Sequence, residues 1–294
     1  MINWRNAHFF SNVSVGKRLA EGRFTLVRSL GCGGMGCVWL AQDEVRNRQV
    51  ALKITPGVSR NSSRFRALKR EAAYGARLNH ANIAKVEGLI VAGGREPPLL
   101  LMEYVAGISL TEALYRERPM AWAGSDAGVK YYMLQLCDAL EYVHDQKIIH
   151  RDLRPSNLLI NHKAELKLID FGLSTPIASD DYISDGWAVG TPPYMSPQQI
   201  KNHQPRTADD IYSLGVTFYE LLTSTLPFRL DRSWIKKNIE HARVQPMGER
   251  LKELGLVNDI PDYVEATVMA CLEKVPNKRP VSVAAIRKRI EAKD

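Results

Sequence analysis

The 294-residue sequence has no long hydrophobic run. A membrane-crossing helix needs about 18 or more consecutive apolar residues. The best candidate, 97–110, is broken by Glu103. The first 22 residues lack the uninterrupted apolar core of a secretory signal. The chain as it stands is therefore expected to be soluble, either as such or as the soluble part of a longer protein. Cysteine is also scarce: Cys32, Cys37, Cys137 and Cys271 are all there is. Four scattered cysteines do not make a disulfide framework. Cys32 and Cys37 form no C-x2-C pair and have no histidine nearby, which excludes a zinc site. The expectation is four free thiols in a reducing compartment, with Cys37 inert. There is no internal repeat and no low-complexity tract.

What is present is ordinary in bulk. Hydrophobic residues make up 45% and charged residues 24%, near the globular average, which excludes disordered, collagen-like and coiled-coil chains. Lys and Arg number 40 against 32 Asp and Glu, a net charge of +8. Such an excess suits nucleic acid, an acidic membrane surface or an acidic partner. No zinc-finger spacing, RNA-binding aromatic motif or basic heptad accompanies it, so nucleic acid is not expected as a partner.

Two halves differ in pattern. From Arg23, β-rich runs follow one another at Phe24–Ser29, Val38–Gln42 and Gln49–Ile54. Phe65, Leu68, Ala72, Gly75 and Ala76 recur at helical spacing and predict a helix over about 62–78. Strand-like runs return at about 83–91 and 98–104. Beyond that the chain reads as helical. One helical face runs from Val129 to Val143 and another from Ile211 to Leu222. Short strands at Leu158–Ile160 and Leu166–Ile169 lie between them, then about 40 residues of little pattern, a length that in a compact domain is usually functional. The segments are accordingly 1–22 as an extension, 23–103 as a sheet-rich part, 104–290 as a helical part and 291–294 as a tail.

Three constellations carry chemistry. Gly31-Cys32-Gly33-Gly34-Met35-Gly36-Cys37-Val38 reads G-x-G-x-x-G-x-V, and glycines let backbone N–H groups approach phosphate oxygens. A strand follows it, not the helix that a dinucleotide fingerprint requires. Lys53 sits inside the apolar run Val50-Ala51-Leu52-Lys53-Ile54 and needs a partner there; Glu71 on the next helix can supply it. Then comes His150-Arg151-Asp152-Leu153-Arg154-Pro155-Ser156-Asn157, followed by Asp170-Phe171-Gly172. An aspartate can take a proton from a hydroxyl nucleophile. An asparagine and a second aspartate are hard oxygen donors of the kind Mg²⁺ prefers.

In this order the motifs resemble the eukaryotic-type protein kinase family over about residues 23–290. The wording of the glycine loop and of Gly190-Thr191-Pro192-Pro193-Tyr194-Met195-Ser196-Pro197 is most like bacterial serine/threonine kinases. The resemblance implies an α+β, two-lobed protein kinase fold with a hinge at 103–107 and an activation segment at 170–198. It implies a cytoplasmic enzyme that transfers the γ-phosphoryl of ATP to serine or threonine of a protein substrate, with Mg²⁺ or alternatively Mn²⁺. Gly31, Gly33, Gly34 and Gly36 would cover the phosphates. Lys53 would hold the α- and β-phosphates and pair with Glu71. Val38, Ala51 and Leu159 would enclose the adenine, Met102 would be the gatekeeper, and the backbone of Glu103 to Val105 would bind the base. Asp152 would be the catalytic base, Asn157 and Asp170 the metal ligands, and Arg154 the γ-phosphate contact. Asp210 would anchor the catalytic loop. Arg151 would receive a phosphorylated residue, with Ser174, Thr175, Ser179, Tyr182 and Ser184 as acceptors.

The sequence departs from the family pattern at three places. Arg154 stands where serine/threonine kinases usually have lysine, a fork in place of a point charge. Gln198 replaces the glutamate expected to pair with Arg279, leaving a neutral acceptor and a looser anchor. Gly75 stands where a large apolar side chain is usual. A gap is expected there, so that Gly75→Leu raises basal activity. The acids Asp180, Asp181 and Asp185 face no base within their own segment, whereas 60–77 is rich in arginine. Three rival readings remain: a catalytically silent scaffold, a small-molecule kinase, and a nucleic-acid module.

Overall fold

The computed structural model describes residues 13–33, 36–55, 58, 62–91, 96–116, 126–177, 190–228 and 235–291. The chain divides into two units, Met1–Asn79 with Ala84–Ala106, and His80–Ile83 with Gly107–Asp294.

The first unit is an antiparallel sheet of β1 (Arg18–Leu19), β2 (Phe24–Gly33), β3 (Gly36–Asp43), β4 (Arg48–Ile54), β5 (Val86–Ile90) and β6 (Leu99–Glu103). Its strand order is β1-β2-β3-β4-β6-β5. Side chains alternate between faces along a strand. In β4, Val50, Leu52 and Ile54 therefore share one core with Leu19, Phe24, Leu26, Ala41, Leu99 and Leu101. Ala51 and Lys53 point the other way, in register with Met102 and Leu100. Helix α1 (Ser63–Arg77) covers that second face with Leu68 and Ala72, against Leu100 and Val86. Its start is fixed by Ser62, whose side chain accepts the Phe65 N–H at 3.2 Å, a standard N-cap. Part of the segment read as an extension belongs to the sheet. Leu19 pairs with Phe24 and is 2% exposed; a two-residue strand is too short to leave a periodic signal.

Two expectations change here. Cys32 and Cys37 are not free thiols: they face each other across the β2–β3 hairpin and are joined as a disulfide. Spacing did not reveal this because the hairpin register, not the sequence interval, brings them together. Cys137 and Cys271 are free and buried. There is also no gap at Gly75. An ideal Cβ built there would lie 2.3 Å from Val86 Cγ2 and 2.7 Å from Val86 Cβ. Glycine at this position lets α1 approach β5 closely, and Val86 already fills the space.

The second unit is helical around α5 (Thr207–Thr223), which is buried at every residue from Asp209 to Thr223. A helix buried on every face belongs at the centre of a core. In chain order the unit contains β7 (Gly107–Ser109), α2 (Leu110–Arg116), α3 (Asp126–Asp145), β8 (Ile148–Ile149), β9 (Leu158–Asn161), β10 (Leu166–Leu168) and β11 (Thr175–Pro176). Then come α4 (Pro197–Ile200), α5, α6 (Ile235–His241), α7 (Met247–Glu253), α8 (Asp262–Cys271) and α9 (Val283–Glu291). β9 is the middle of a β10-β9-β7 sheet, and β8 pairs with β11. No described helix is long and apolar enough to cross a membrane.

Candidate active site

In the first unit, the strand register that turns Lys53 toward α1 is what gives it a partner. Its Nζ donates to Glu71 Oε1 at 2.8 Å and Oε2 at 3.0 Å. Both side chains are nearly enclosed, at 7% and 4% exposure. A buried pair of this kind is worth little against an apolar replacement, but removing one partner costs about 3–5 kcal/mol because the other charge is stranded. The hairpin bearing the glycines runs antiparallel beside it, with Gly31 opposite Val38, Gly33 opposite Gly36, and Val38 opposite Lys53. A Cβ on Gly31 or Gly33 would meet no atom within 4 Å. Gly36 is different: its φ is +134°, and a Cβ would lie 2.4 Å from the Ile54 carbonyl oxygen. Gly34 lies outside the described residues.

The adenine residues expected in this unit are also placed. Ala51 is buried and faces Met102 across the β4–β6 ladder. Val105 is buried. Glu103 is committed locally: its N–H donates to the Lys85 carbonyl at 2.8 Å, and its carboxylate accepts the Lys85 N–H at 2.9 Å.

In the second unit the polar loop from His150 to Asn157 is held from beneath by α5. Asp210 is fully buried. Its carboxylate accepts the N–H of His150 and of Arg151, each at 2.8 Å, and contacts His144 Nε2 at 2.9 Å. Burial pushes the Asp210 pKa up, but the His144 hydrogen bond, the nearby histidines and the Arg151 N–H outweigh it, so the carboxyl sits below its ordinary value. Arg151 has φ +71°. A non-glycine residue in this left-handed region is strained, and the two bonds to Asp210 hold it there.

This loop presents Asp152 with both carboxylate oxygens engaged. Oδ1 accepts the Thr191 hydroxyl at 3.0 Å, and Oδ2 accepts the Asn157 amide at 3.1 Å. The same amide donates to the Asp152 carbonyl at 2.8 Å. Arg154 Nε stands 3.6 Å from Asp152 Oδ2. The Asn157 carbonyl accepts the Ile169 N–H at 2.9 Å, which ties the loop to the residue before Asp170. Asp170 has φ +65° and accepts the Gly172 N–H at 3.2 Å. Phe171 packs edge-on to His150 with centroids 5.0 Å apart. Leu159, on β9, is partly buried. Among the described residues no three His, Cys, Asp or Glu side chains converge on a metal position. The donor set of Asn157 and Asp170 suits a hard cation that keeps several water or phosphate ligands.

Several supporting residues gave no signal in the sequence. Asn82 donates from one amide to Gln135 Oε1 at 2.6 Å and to the Leu166 carbonyl at 2.9 Å, clamping β10. Glu220 is 2% exposed and accepts the hydroxyls of Tyr194 at 2.6 Å and Tyr115 at 2.8 Å. Burial raises its pKa and also raises that of Tyr115, to about 12. His144 ends α3 beneath Asp210. Each is a common residue type at an unremarkable spacing, meaningful once the fold brings it to a partner.

The other departures and acceptors are also resolved in part. Gln198 does receive Arg279, whose Nη2 donates to Gln198 Oε1 at 2.7 Å. The Gln198 amide adds a bond that glutamate could not make, donating to the Lys274 carbonyl at 3.0 Å. Arg279 also donates to the carbonyls of Glu273 and Ala208, each at 2.7 Å. The anchor is therefore fully bonded, against the expectation of a loose one. Ser174 is 4% exposed and donates to the His150 carbonyl at 3.3 Å. Thr175 pairs with Ile149 along the strand, and its hydroxyl is buried. Neither is presented as a phosphate acceptor. Ser179, Tyr182, Ser184 and the acids Asp180, Asp181 and Asp185 lie outside the described residues.

Comparison with known proteins adds a family match and three relatives. The protein kinase domain family matches residues 24–289. The chain is 32% identical over 269 residues to the serine/threonine-protein kinase PrkC of Bacillus subtilis, covering 90% of this chain and 39% of that protein. It is 34% identical over 270 residues to the serine/threonine-protein kinase PknB of Mycobacterium tuberculosis, covering 90% and 42%. It is 31% identical over 294 residues to the serine/threonine-protein kinase PknD of Chlamydia caviae, covering 92% and 31%. The chain thus spans less than half the length of the curated relatives it matches.

Proposed function

The chain belongs to the protein kinase family, and on that premise we propose that it transfers the γ-phosphoryl of ATP to serine or threonine hydroxyls of a protein substrate. The observation that carries this reading is the setting of Asp152. Its two oxygens are oriented by Asn157 and Thr191, and its loop is fastened to the core by Asp210. A carboxylate fixed in this way can accept the hydroxyl proton of an incoming side chain. The Thr191 contact supports a serine or threonine acceptor, in keeping with the names of the relatives.

Lys53, oriented by Glu71, binds the α- and β-phosphates. The glycine hairpin at 31–36 covers them with backbone N–H groups. Val38, Ala51, Met102, Val105 and Leu159 supply the apolar contacts for the base. Asn157 and Asp170 would hold Mg²⁺, with Mn²⁺ as the alternative; when bound, the cation neutralises the phosphate oxygens as charge develops. The Asn157 amide N–H2 is spent on Asp152, which leaves its oxygen as the ligating atom. Arg154, next to Asp152, holds positive charge toward the transferred group. Catalysis on this reading is mostly positioning and charge stabilisation. On this reading the domain would work in the cytoplasm, where ATP is supplied. Autophosphorylation would fall on Ser179, Tyr182 or Ser184, with Arg151 receiving the phosphate.

The test is labelled-ATP incorporation into a generic protein substrate, wild type beside Asp152→Asn. Loss of a general base is worth 10²–10⁴-fold in rate, so the variant should incorporate at most about one hundredth as much while still binding nucleotide. Phosphoamino-acid analysis should return phosphoserine and phosphothreonine. Absence of incorporation by the wild type, with nucleotide binding intact, would move the reading to a scaffold.

A further inference from the structure

The phosphotransfer reading makes no use of the Cys32–Cys37 disulfide. It joins the two strands of the glycine hairpin at the positions that bracket Gly33-Gly34-Met35-Gly36. The next rung pairs Gly31 with Val38, and Val38 in turn faces Lys53. Cys37 itself lies opposite Ile54, the residue after Lys53. The cross-link is therefore built into the phosphate cradle. A chain of this size with two apolar cores does not need a disulfide staple to fold. A loop this short also places the bond where its stabilising effect is smallest.

We propose that Cys32 and Cys37 form a reversible redox site, exchanging with a low-molecular-weight thiol/disulfide couple, that sets the affinity of the glycine hairpin for nucleotide. This rests on the ATP-dependent reading given above. In a reducing compartment such disulfides are transient and redox-sensing more often than structural. Access decides the order of steps. Cys32 is exposed and Cys37 is 1% exposed. On oxidation the Cys32 thiolate attacks the small disulfide RS–SR, forming Cys32–S–S–R and releasing one RS⁻. The Cys37 thiolate then attacks Cys32 Sγ, forming the Cys32–Cys37 bond and releasing the second RS⁻. The two protons of the cysteine thiols pass to the two RS⁻. The protein loses two electrons, and RSSR becomes two RSH. Reduction reverses this, beginning at exposed Cys32.

The consequence for nucleotide follows from the glycines. They are useful because their backbone can move its N–H groups onto phosphate oxygens. A covalent rung beside them fixes the strand separation and removes that freedom, so the oxidised hairpin binds ATP more weakly than the reduced one. Linkage requires the reciprocal effect: ATP stabilises the dithiol and raises the midpoint potential of the pair.

The experiment uses the full chain equilibrated in glutathione buffers of graded ratio. Thiols are counted by alkylation and mass, and affinity is measured with a fluorescent ATP analogue. Cys137 and Cys271 are buried, and burial raises both thiol pKa values; Cys37 is buried as well, so alkylation of the folded chain reads exposed Cys32, whose thiol is present only when the pair is reduced. The expected result is an analogue Kd at least about fivefold higher in the oxidised form, restored by reductant. A fivefold ratio corresponds to a midpoint raised by about 21 mV at saturating ATP, from 29.6 mV per decade. Cys32→Ser, and separately Cys37→Ala, should each abolish the difference between oxidising and reducing buffers. Affinities equal within twofold, a pair that stays reduced in every buffer, or a redox response that survives either substitution overturns the inference alone. No nucleotide binding in either form overturns the phosphotransfer reading, and this inference with it.

Discussion

Replacing Gly75 with alanine sets two physical effects against each other with opposite signs. In an exposed helix interior the change would stabilise by about 0.8–1.0 kcal/mol, because alanine loses less backbone entropy than glycine. Gly75 is not exposed. The added Cβ would lie 2.3 Å from Val86 Cγ2, 2.7 Å from Val86 Cβ and 3.3 Å from Val86 Cγ1. Val86 is 5% exposed and belongs to the small cluster of Leu68, Ala72 and Leu100, so it has no free direction in which to move. Overpacking of a filled site costs about 1–3 kcal/mol. Subtracting the helix gain leaves a net destabilisation of about 0–2 kcal/mol, toward the upper end because the overlap with Val86 is as close as 2.3 Å. Urea unfolding of wild type and Gly75→Ala measures it. Val86→Ala removes the two Cγ atoms responsible for the shortest contact, so the double variant should show a compensating coupling of about 1 kcal/mol or more. Gly75→Leu carries the same Cβ and should lower activity by tilting the helix that holds Glu71. A Gly75→Ala protein as stable as wild type or more so, or a Gly75→Leu protein with raised basal activity, would refute the packing argument and restore the gap.

Other predictions follow from single contacts. Asp210→Asn leaves one buried backbone N–H facing an amide and removes the charge opposite His144; denaturant unfolding should show a loss of about 2–4 kcal/mol. The Asp210 pKa is lowered in the folded state, so its contribution is full above the unfolded value and fades as the pH falls below about 4. Wild type should therefore lose its stability advantage over Asp210→Asn in that acid range, and an advantage unchanged down to pH 2 would sink the assignment. Ser174→Ala should cost about 0.5–1.5 kcal/mol through the lost bond to His150, and mass spectrometry of active protein should find no phosphate on Ser174. Gln198→Glu gains a charged acceptor for Arg279 but loses the donor to the Lys274 carbonyl. These are comparable at about 1 kcal/mol each, so the melting temperature should barely move; a large rise would mean the glutamine anchor is loose after all.

Much of the site was legible because its chemistry is carried by residue type in a fixed order. An apolar strand with one lysine, a helix with one carboxylate at the right face, and an aspartate followed by an asparagine and a second aspartate can be read without coordinates. The Lys53–Glu71 bond lies where those patterns placed it. The principal strands and helices were legible for a similar reason, since period-2 and period-3.6 patterns record which face is buried.

The sequence by itself thus determined the family and the order of the principal elements, and it supplied the candidates for the reacting groups. Tertiary structure decided what depends on register and close approach. The disulfide exists because Cys32 and Cys37 fall on one rung of the β2–β3 ladder. Gly75 is a contact and not a gap because β5 carries Val86 against it. The supports under the catalytic loop, His144 and the Asn82–Gln135 clamp, are distant in sequence from what they hold. A linear pattern records which residues prefer burial, but not which distant atom each one will meet.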